Sequence, residues 1–239
     1  MTAVLSVAER LQDVQRKIHE ATRRANRDPE VVRLVAVSKG ISANRLTEAV
    51  RAGVKDVGEN RIQEAKTKIP LILTPVEWHL IGHLQTNKVR DAVKYFSLIQ
   101  SIDRMELAQK LSQEGQKQGR EVQGLIQVNV AQKATQGGFS VEEVPDAVTA
   151  LSNLPSLRLR GLMMIAPFVD DPEEVRPIFR TMKNLFDRMS SLNSELLTLN
   201  SWNCLSMGMS HDFEVAIEEG ANMVRIGTAI FGERSQVNS

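Results

Sequence analysis

Short, almost wholly apolar runs alternate along this chain with stretches in which apolar residues recur every three or four positions. Val4, Ala8, Leu11, Val14, Ile18, Ala21 and Ala25 mark an N-terminal helix. Ser6 and Glu9 are spaced for a capping box at its start, and Asn26-Arg27-Asp28-Pro29 ends it. The alternation then predicts strands at Val31–Val37, Asp56–Gly58, Trp78–Ile81, Leu98–Ser101, Gly124–Val130, Leu159–Ile165, Trp202–Leu205 and Met223–Ile226. Between them fall helices at Asn44–Ala52, Glu59–Lys68, Thr86–Lys94, Arg104–Gln118, Val141–Leu151, Pro172–Ser191 and His211–Glu219.

Near-continuous apolar strands alternating with amphipathic helices imply a parallel sheet buried on both faces. Eight such units in 239 residues fit an α/β fold of the closed (β/α)8 kind, a TIM-like barrel. An open doubly wound sheet is the competitor, but the chain has no GxGxxG and no P-loop to support one. After the eighth strand only Ala229–Ser239 remains, too short for a crossover helix, so the additional N-terminal helix is expected to cover that position. No linker, low-complexity run or repeat divides the sequence, which predicts one domain over 1–239 and no second domain.

Composition narrows the function. Thirty Lys and Arg against 29 Asp and Glu give a net charge of +1, with no basic footprint for nucleic acid. Seven Phe, two Trp and one Tyr make a base-stacking surface implausible. Cys204 is the only cysteine, which rules out an internal disulfide and cysteine metal clusters and points to a reducing compartment. No apolar run approaches the length of a membrane span, and Met1–Leu11 does not read as a secretory signal. The expectation is a cytoplasmic protein.

In a barrel, chemistry sits at the C-terminal ends of the strands. Those ends carry Lys39, Glu59-Asn60, Gly82-His83, Asp103, Asn129, Met163-Met164, Ser206–Ser210 and Gly227-Thr228. Lys39 has two readings: a desolvated amine for Schiff-base chemistry, or a strand-end lysine snorkelling to solvent. Arg225 lies in an otherwise buried strand, where a guanidinium needs acceptors. The flanking turns Ser206–Ser210 and Gly227-Thr228 offer small residues and free backbone N–H groups, which suit a phosphate. An amine, a phosphate cup and an arginine together match pyridoxal 5′-phosphate.

The stretches LVAVSKG (34–40), VGENRIQEA (57–65), WHLIGHLQTNK (78–88), GLMMIAP (161–167), LSMGMSHDFEVAI (205–217) and VRIGTAIFG (224–232) lie in order across nearly the whole chain. Jointly they resemble the YggS/PROSC family of pyridoxal-phosphate-binding proteins, whose fold is similar to the barrel domain of alanine racemase (fold type III) without its second domain. The resemblance implies a role in vitamin B6 and amino-acid homeostasis without an established reaction. It implies a covalent aldimine on Lys39 and Asn60 beside the cofactor ring. Ser206, Gly227 and Thr228 would hold the phosphate with the amides of Met207, Gly208 and the rest of that turn, and Arg225 would face the pyridine nitrogen. Met163 would line the pocket, although ordinary core packing explains it equally. His79 and His83 belong to the matching stretches and are given no chemical role. In the loop after the fifth strand the family commonly shows an acidic residue and a lysine, where this chain has Lys133 and Gln136.

Three functions compete: a cofactor carrier, a racemase and a lysine aldolase. An aldolase would need an acid/base group near Lys39; Glu59 is the sole candidate, and at the predicted helix start it favours the helix N-terminus. A racemase of this class uses a tyrosine from an extra domain, and the sole tyrosine, Tyr95, falls in a helix-to-strand connection at the opposite end of the barrel. The carrier is therefore preferred, as a monomer, with pyridoxal-phosphate-dependent apoenzymes as recipients and no nucleic-acid or membrane partner.

Overall fold

A computed structural model describes residues 5–133, 135–195 and 202–233. Val4 and the segment after Glu233 lie outside the described residues. Eight strands run in parallel and close in sequence order: β1 (Arg33–Val37), β2 (Asp56–Glu59), β3 (Glu77–Leu80), β4 (Leu98–Ile102), β5 (Val122–Val128), β6 (Leu157–Met164), β7 (Cys204–Ser206) and β8 (Met223–Ile226). The closing pair is β8 on β1, with Val224 opposite Leu34 and Ile226 opposite Ala36. The fold is the α/β barrel expected from the alternation.

The helices are α1 (Val7–Arg24), α2 (Ala43–Arg51), α3 (Ile62–Lys68), α4 (Val89–Tyr95), α5 (Met105–Gln118), α6 (Val144–Ser152), α7 (Arg176–Glu195), α8 (Phe213–Glu218) and α9 (Thr228–Phe231). Two apolar clusters explain why the strands read as continuous apolar runs. Val35, Leu98, Leu125, Met163, Cys204 and Met223 fill the inside of the barrel, while their strand neighbours join the larger core beneath the helices. Successive residues of a strand alternate between these two dry spaces.

The capping box forms at Ser6 and Glu9. Helix α1 buries Val7, Leu11, Val14, Ile18 and Ala21. It covers the position left by the four-residue α9: Arg24 pairs with Glu214 and Glu218 of α8, and Arg27 donates to the carbonyls of Ile217 and Ala221 at 2.6 and 2.8 Å. Two boundaries depart from expectation with consequences for the site. Helix α3 begins at Ile62, so Glu59 ends β2 and is wholly buried, not placed at a helix N-terminus. Strand β7 runs Cys204–Ser206 and includes Ser206.

Candidate functional site

The turn Ser38-Lys39-Gly40 follows β1 and carries the partly buried Lys39. Gly40 has φ +70°, which lets the chain turn sharply after the lysine. Backbone and side-chain bonds fix the turn on both sides of Lys39. The Ser38 N–H donates to the Gly58 carbonyl at 3.0 Å and its hydroxyl to Glu59 Oε1 at 2.5 Å. Lys68 Nζ donates to the Ser38 carbonyl (2.5 Å), Glu59 Oε1 (2.7 Å) and Glu64 Oε1 (2.7 Å), and Glu64 Oε1 also accepts the Gly40 N–H at 2.5 Å. Three charged side chains on β2 and α3 therefore clamp the backbone around the amine. Burial pushes the Glu59 carboxyl above its usual range, and its second oxygen has no hydrogen-bond partner.

At the β7–β8 side, Ser210 Oγ accepts the N–H groups of Gly227 (3.1 Å) and Ala229 (3.4 Å), lacing the turn after β7 to the turn after β8. The strands continue their pairing through backbone alone: Met207 N–H donates to Met223 O and Arg225 N–H to Gly208 O. Gly208 has φ +95°, and a Cβ there would lie 2.7 Å from Ala216 Cβ and 3.0 Å from Phe213 Cα. Helix α8 thus packs directly on bare backbone. Asp212 Oδ1 accepts the Met209 N–H at 2.6 Å and sets the turn's outer edge. Thr228 is exposed and opens α9 after Gly227. With Arg10, Ser210, His211, Ala229 and Gly232 it lines a depression of about 400 Å³.

Arg225 is buried, its guanidinium pulled down to about 10 by desolvation, so it remains cationic near neutral pH. It donates to Ser206 Oγ at 2.6 Å and to the Met164 carbonyl at 2.7 Å. Ser206 was expected at a phosphate; its hydroxyl points into the barrel and donates in turn to Gln100 Oε1 at 2.7 Å. Met163 is fully buried in the inner apolar cluster. Cys204 lies in the same cluster, its thiol pushed up to about 12 by burial.

Asn60 follows β2 and is partly buried. Its backbone abuts Gly82: a Cβ at 82 would fall 2.4 Å from the Asn60 carbonyl oxygen, so the loops after β2 and β3 touch main chain to main chain. The loop after β5 is built on Asn129, whose amide donates to the carbonyls of Lys133 and Gln136, both at 2.9 Å. Gln136 Nε2 reaches the Ile165 carbonyl at 3.2 Å. His83 Nδ1 sits 2.9 Å from Asp103 Oδ2, and Arg104 holds the other carboxylate oxygen at 2.5 Å. A cavity of about 620 Å³ between α1 and the start of β1 and β2 is lined by His19, Arg33 and Asp56 among others. It lies at the end of the barrel away from Lys39. Among the described residues no group of His, Cys, Asp or Glu side chains converges to hold a metal, and no helix is long and apolar enough to cross a membrane.

Residues 10–235 match the family model described as alanine racemase, N-terminal domain. Over 231 residues the chain is 40% identical to the pyridoxal phosphate homeostasis protein of Aquifex aeolicus, covering 96% of this chain and 99% of that one. The chain belongs to this family. The protein of the same name from Escherichia coli K12 is 39% identical over 233 residues, 95% of this chain and 97% of that one. Among solved structures, PipY of Synechococcus elongatus with PLP bound superposes with a TM-score of 0.82 at 33% identity, over 95% of this chain and all of that one. An alanine racemase from Clostridium difficile shares the fold, with a TM-score of 0.69 at 17% identity over 92% of this chain and 57% of that one.

Three features of this family member were not singled out from sequence: the Lys68–Glu64 part of the clamp, Ser210 as the residue joining the two turns, and the inward course of Ser206. Ser210 had a signal, since it closes the small-residue turn. Lys68 had none beyond ending a helix.

Proposed function

We propose that this chain binds pyridoxal 5′-phosphate at the C-terminal mouth of the barrel and serves intracellular vitamin B6 and amino-acid homeostasis, holding the cofactor covalently on Lys39 without strong catalysis. The observation that carries the proposal is the clamped Lys39 turn at the same barrel end as two laced turns rich in backbone N–H. The donor set fits the group: Gly227 and Ala229 direct their N–H groups to one point, now taken by the Ser210 hydroxyl. A phosphate is bound well by such convergent amides. We therefore give the phosphate role to Ser210 with Gly227, Thr228 and the amides of Gly208 and Ser210, since those of Met207 and Met209 are bonded to Met223 O and Asp212, and Ser206 the role of holding Arg225. The names of the relatives and the PLP in PipY support the same ligand.

When bound, the cofactor supplies an aldehyde that condenses with an amine, releasing water. The chain's part is to present the Lys39 amine from a fixed turn. Arg225 faces the ring nitrogen as a donor that carries its own positive charge. It favours the unprotonated nitrogen and leaves the ring a weak electron sink. Asn60 stands beside the ring, and Met163 contributes to the apolar floor. The sole tyrosine, Tyr95, is the last residue of α4, at the far end of the barrel, which favours a carrier over a racemase. The proposal includes a monomeric, cytoplasmic protein that passes its cofactor to pyridoxal-phosphate-dependent apoenzymes.

Borohydride reduction of the cofactor-loaded protein followed by peptide mapping tests the assignment. The expected adduct is on Lys39, and Lys39→Ala should lose the visible band while retaining some phosphate-anchored binding. An adduct mainly on another lysine would falsify the assignment.

A further inference from the structure

From Arg33 at the outer end, a set of polar side chains runs through the barrel as an unbroken file that ends at Arg225. Arg33 on β1 is ion-paired with Asp56 on β2. Asp56 Oδ1 lies 3.3 Å from His79 Nε2 on β3, and His79 Nδ1 lies 2.9 Å from Gln100 Nε2 on β4. Gln100 Oε1 meets Ser206 Oγ on β7 at 2.7 Å, and Ser206 Oγ meets Arg225 Nη1 on β8 at 2.6 Å. His79, Gln100, Ser206 and Arg225 are buried away from the cavity that Asp56 borders, so the bonds from His79 to Arg225 are completed within the file.

Donor and acceptor roles along the file follow from Arg225. A guanidinium only donates, so Ser206 Oγ accepts, and its single proton goes to Gln100 Oε1. That fixes the Gln100 amide with its NH2 toward His79, so His79 Nδ1 accepts. The imidazole proton then sits on Nε2 and points at the Asp56 carboxylate. Reversing Gln100 would leave the Ser206 proton without its acceptor and, for either neutral tautomer of His79, set two lone pairs against each other, which buried groups do not tolerate. One neutral tautomer of His79 and one orientation of Gln100 satisfy every contact of the file from Asp56 to Arg225.

We infer that Asp56, His79 and Gln100 are positioning residues that act through Ser206 to fix the guanidinium of Arg225 for its ligand. Ser206 has a lone pair for Arg225 because Gln100 holds its proton. Gln100 holds it because His79 accepts from the amide nitrogen, and His79 is kept in that tautomer by Asp56. With Nη1 tied to Ser206 and Nη2 to the Met164 carbonyl, the guanidinium plane is set. The inference rests on the placement of Arg225 at the cofactor ring proposed above.

Two measurements test it. In the protein labelled with 15N-histidine, without cofactor, long-range proton–nitrogen spectra should show His79 as the neutral Nε2–H tautomer at pH 7. An Nδ1–H tautomer or an imidazolium overturns the inference without touching the cofactor assignment. In the pyridoxal-phosphate-loaded protein, Gln100→Leu and His79→Leu should shift the visible band in the same direction as Arg225→Gln. Each should weaken cofactor retention about five-fold, the loss expected of one net hydrogen bond. His79→Asn, which can still accept from Gln100, should restore most of both. If Gln100→Leu and His79→Leu lower the melting temperature equally with and without cofactor and leave the band in place, the file is structural only and the inference fails. If Arg225→Gln itself leaves the band unchanged, the ring placement fails and the inference falls with it, while Lys39 remains testable by trapping.

Discussion

The two halves of the barrel mouth are held by opposite means. Around Lys39 the backbone is clamped by charge: Lys68 within 2.5–2.7 Å of the Ser38 carbonyl, Glu59 and Glu64, all behind the turn. Around β7 and β8 the backbone is held by space and mostly by neutral acceptors: the bare Cα of Gly208 under α8, the Ser210 hydroxyl between two amides, and a hydroxyl and a carbonyl that take up a buried arginine, with Asp212 the one carboxylate, on the Met209 N–H. The counter-charge that acts on Arg225 most strongly is Asp212, whose own carboxyl is pushed up by burial. The difference suits the proposed tasks. A turn that must present a nucleophilic amine at a set angle gains from directional ionic bonds on its far side. A cup for a doubly charged phosphate is better served by N–H groups held on neutral acceptors, as those of Gly227 and Ala229 are on the Ser210 hydroxyl, while Asp212 takes only the Met209 N–H.

Removing the cation from the charged half should have the largest effect on folding. Lys68→Met leaves Glu59 and Glu64 close together with no cation between them, and removes one of the two donors to the Ser38 carbonyl, leaving the Ile41 N–H. Breaking a buried ion pair from one side typically costs about 3–5 kcal/mol. Urea unfolding should show a loss of that order, and borohydride trapping on Lys39 should slow. A loss under about 1 kcal/mol, of the kind expected for exposed pairs, would mean that the clamp contributes little.

The neutral half should respond to volume where the charged half responds to charge. Gly208→Ala sets a methyl group 2.7 Å from Ala216 Cβ and 3.0 Å from Phe213 Cα. Neither atom lies on a rotatable side-chain tip, so α8 must shift, and the backbone at φ +95° disfavours any side chain. The expected loss is about 1–3 kcal/mol by chemical denaturation, with weaker retention of pyridoxal 5′-phosphate and normal trapping chemistry at whatever occupancy remains. A stable variant with unchanged retention would show that α8 does not shape the cup.

The same contrast explains what the sequence revealed. Most strands are legible because their centres are buried on both faces, so short apolar runs stand out between periodic helices; β2, Asp56–Glu59, shows only one apolar residue and is placed by the rhythm around it. Lys39, Gly227 and Thr228 stand out in the sequence because a barrel puts its chemistry just past a strand end, and each does follow a strand in the structure. Ser206 and Glu59 were misread for one reason: each is the last residue of its strand, not the first of the next segment. Ending β7 at Leu205 turned Ser206 out into the phosphate turn; one more strand residue sends its side chain inside to Arg225. Ending β2 at Gly58 put Glu59 on a helix; one more residue buries it against Ser38 and Lys68. The inner file was not readable, because Asp56, His79 and Gln100 lie about twenty positions apart and no local period says which inward polar residues meet.

The smallest expected effect, and the sharpest on sign, concerns Glu59. The clamp holds two carboxylates against one ammonium, so one negative charge is in surplus. Glu59 is the more buried of the two carboxylates, and its Oε2 has no partner. Its pKa in the folded protein lies above the ordinary 4.5, chiefly through desolvation, with Lys68 and Ser38 opposing. Between 4.5 and the folded-state value the unfolded chain releases this proton while the folded chain keeps it. The unfolded state therefore binds fewer protons, and the stability of the unsubstituted protein falls as pH rises through that window. Glu59→Gln keeps an acceptor for Ser38 and Lys68, leaves Lys68 balanced by Glu64, and lacks this slope. The stability difference should therefore favour the unsubstituted protein most at acidic pH and shift toward Glu59→Gln as pH rises above 4.5. Denaturation curves from pH 4 to 8 on both proteins measure it, and a difference that moves the other way would place Glu59 among the carboxylates stabilised by ionisation, making the clamp a balanced ionic cluster.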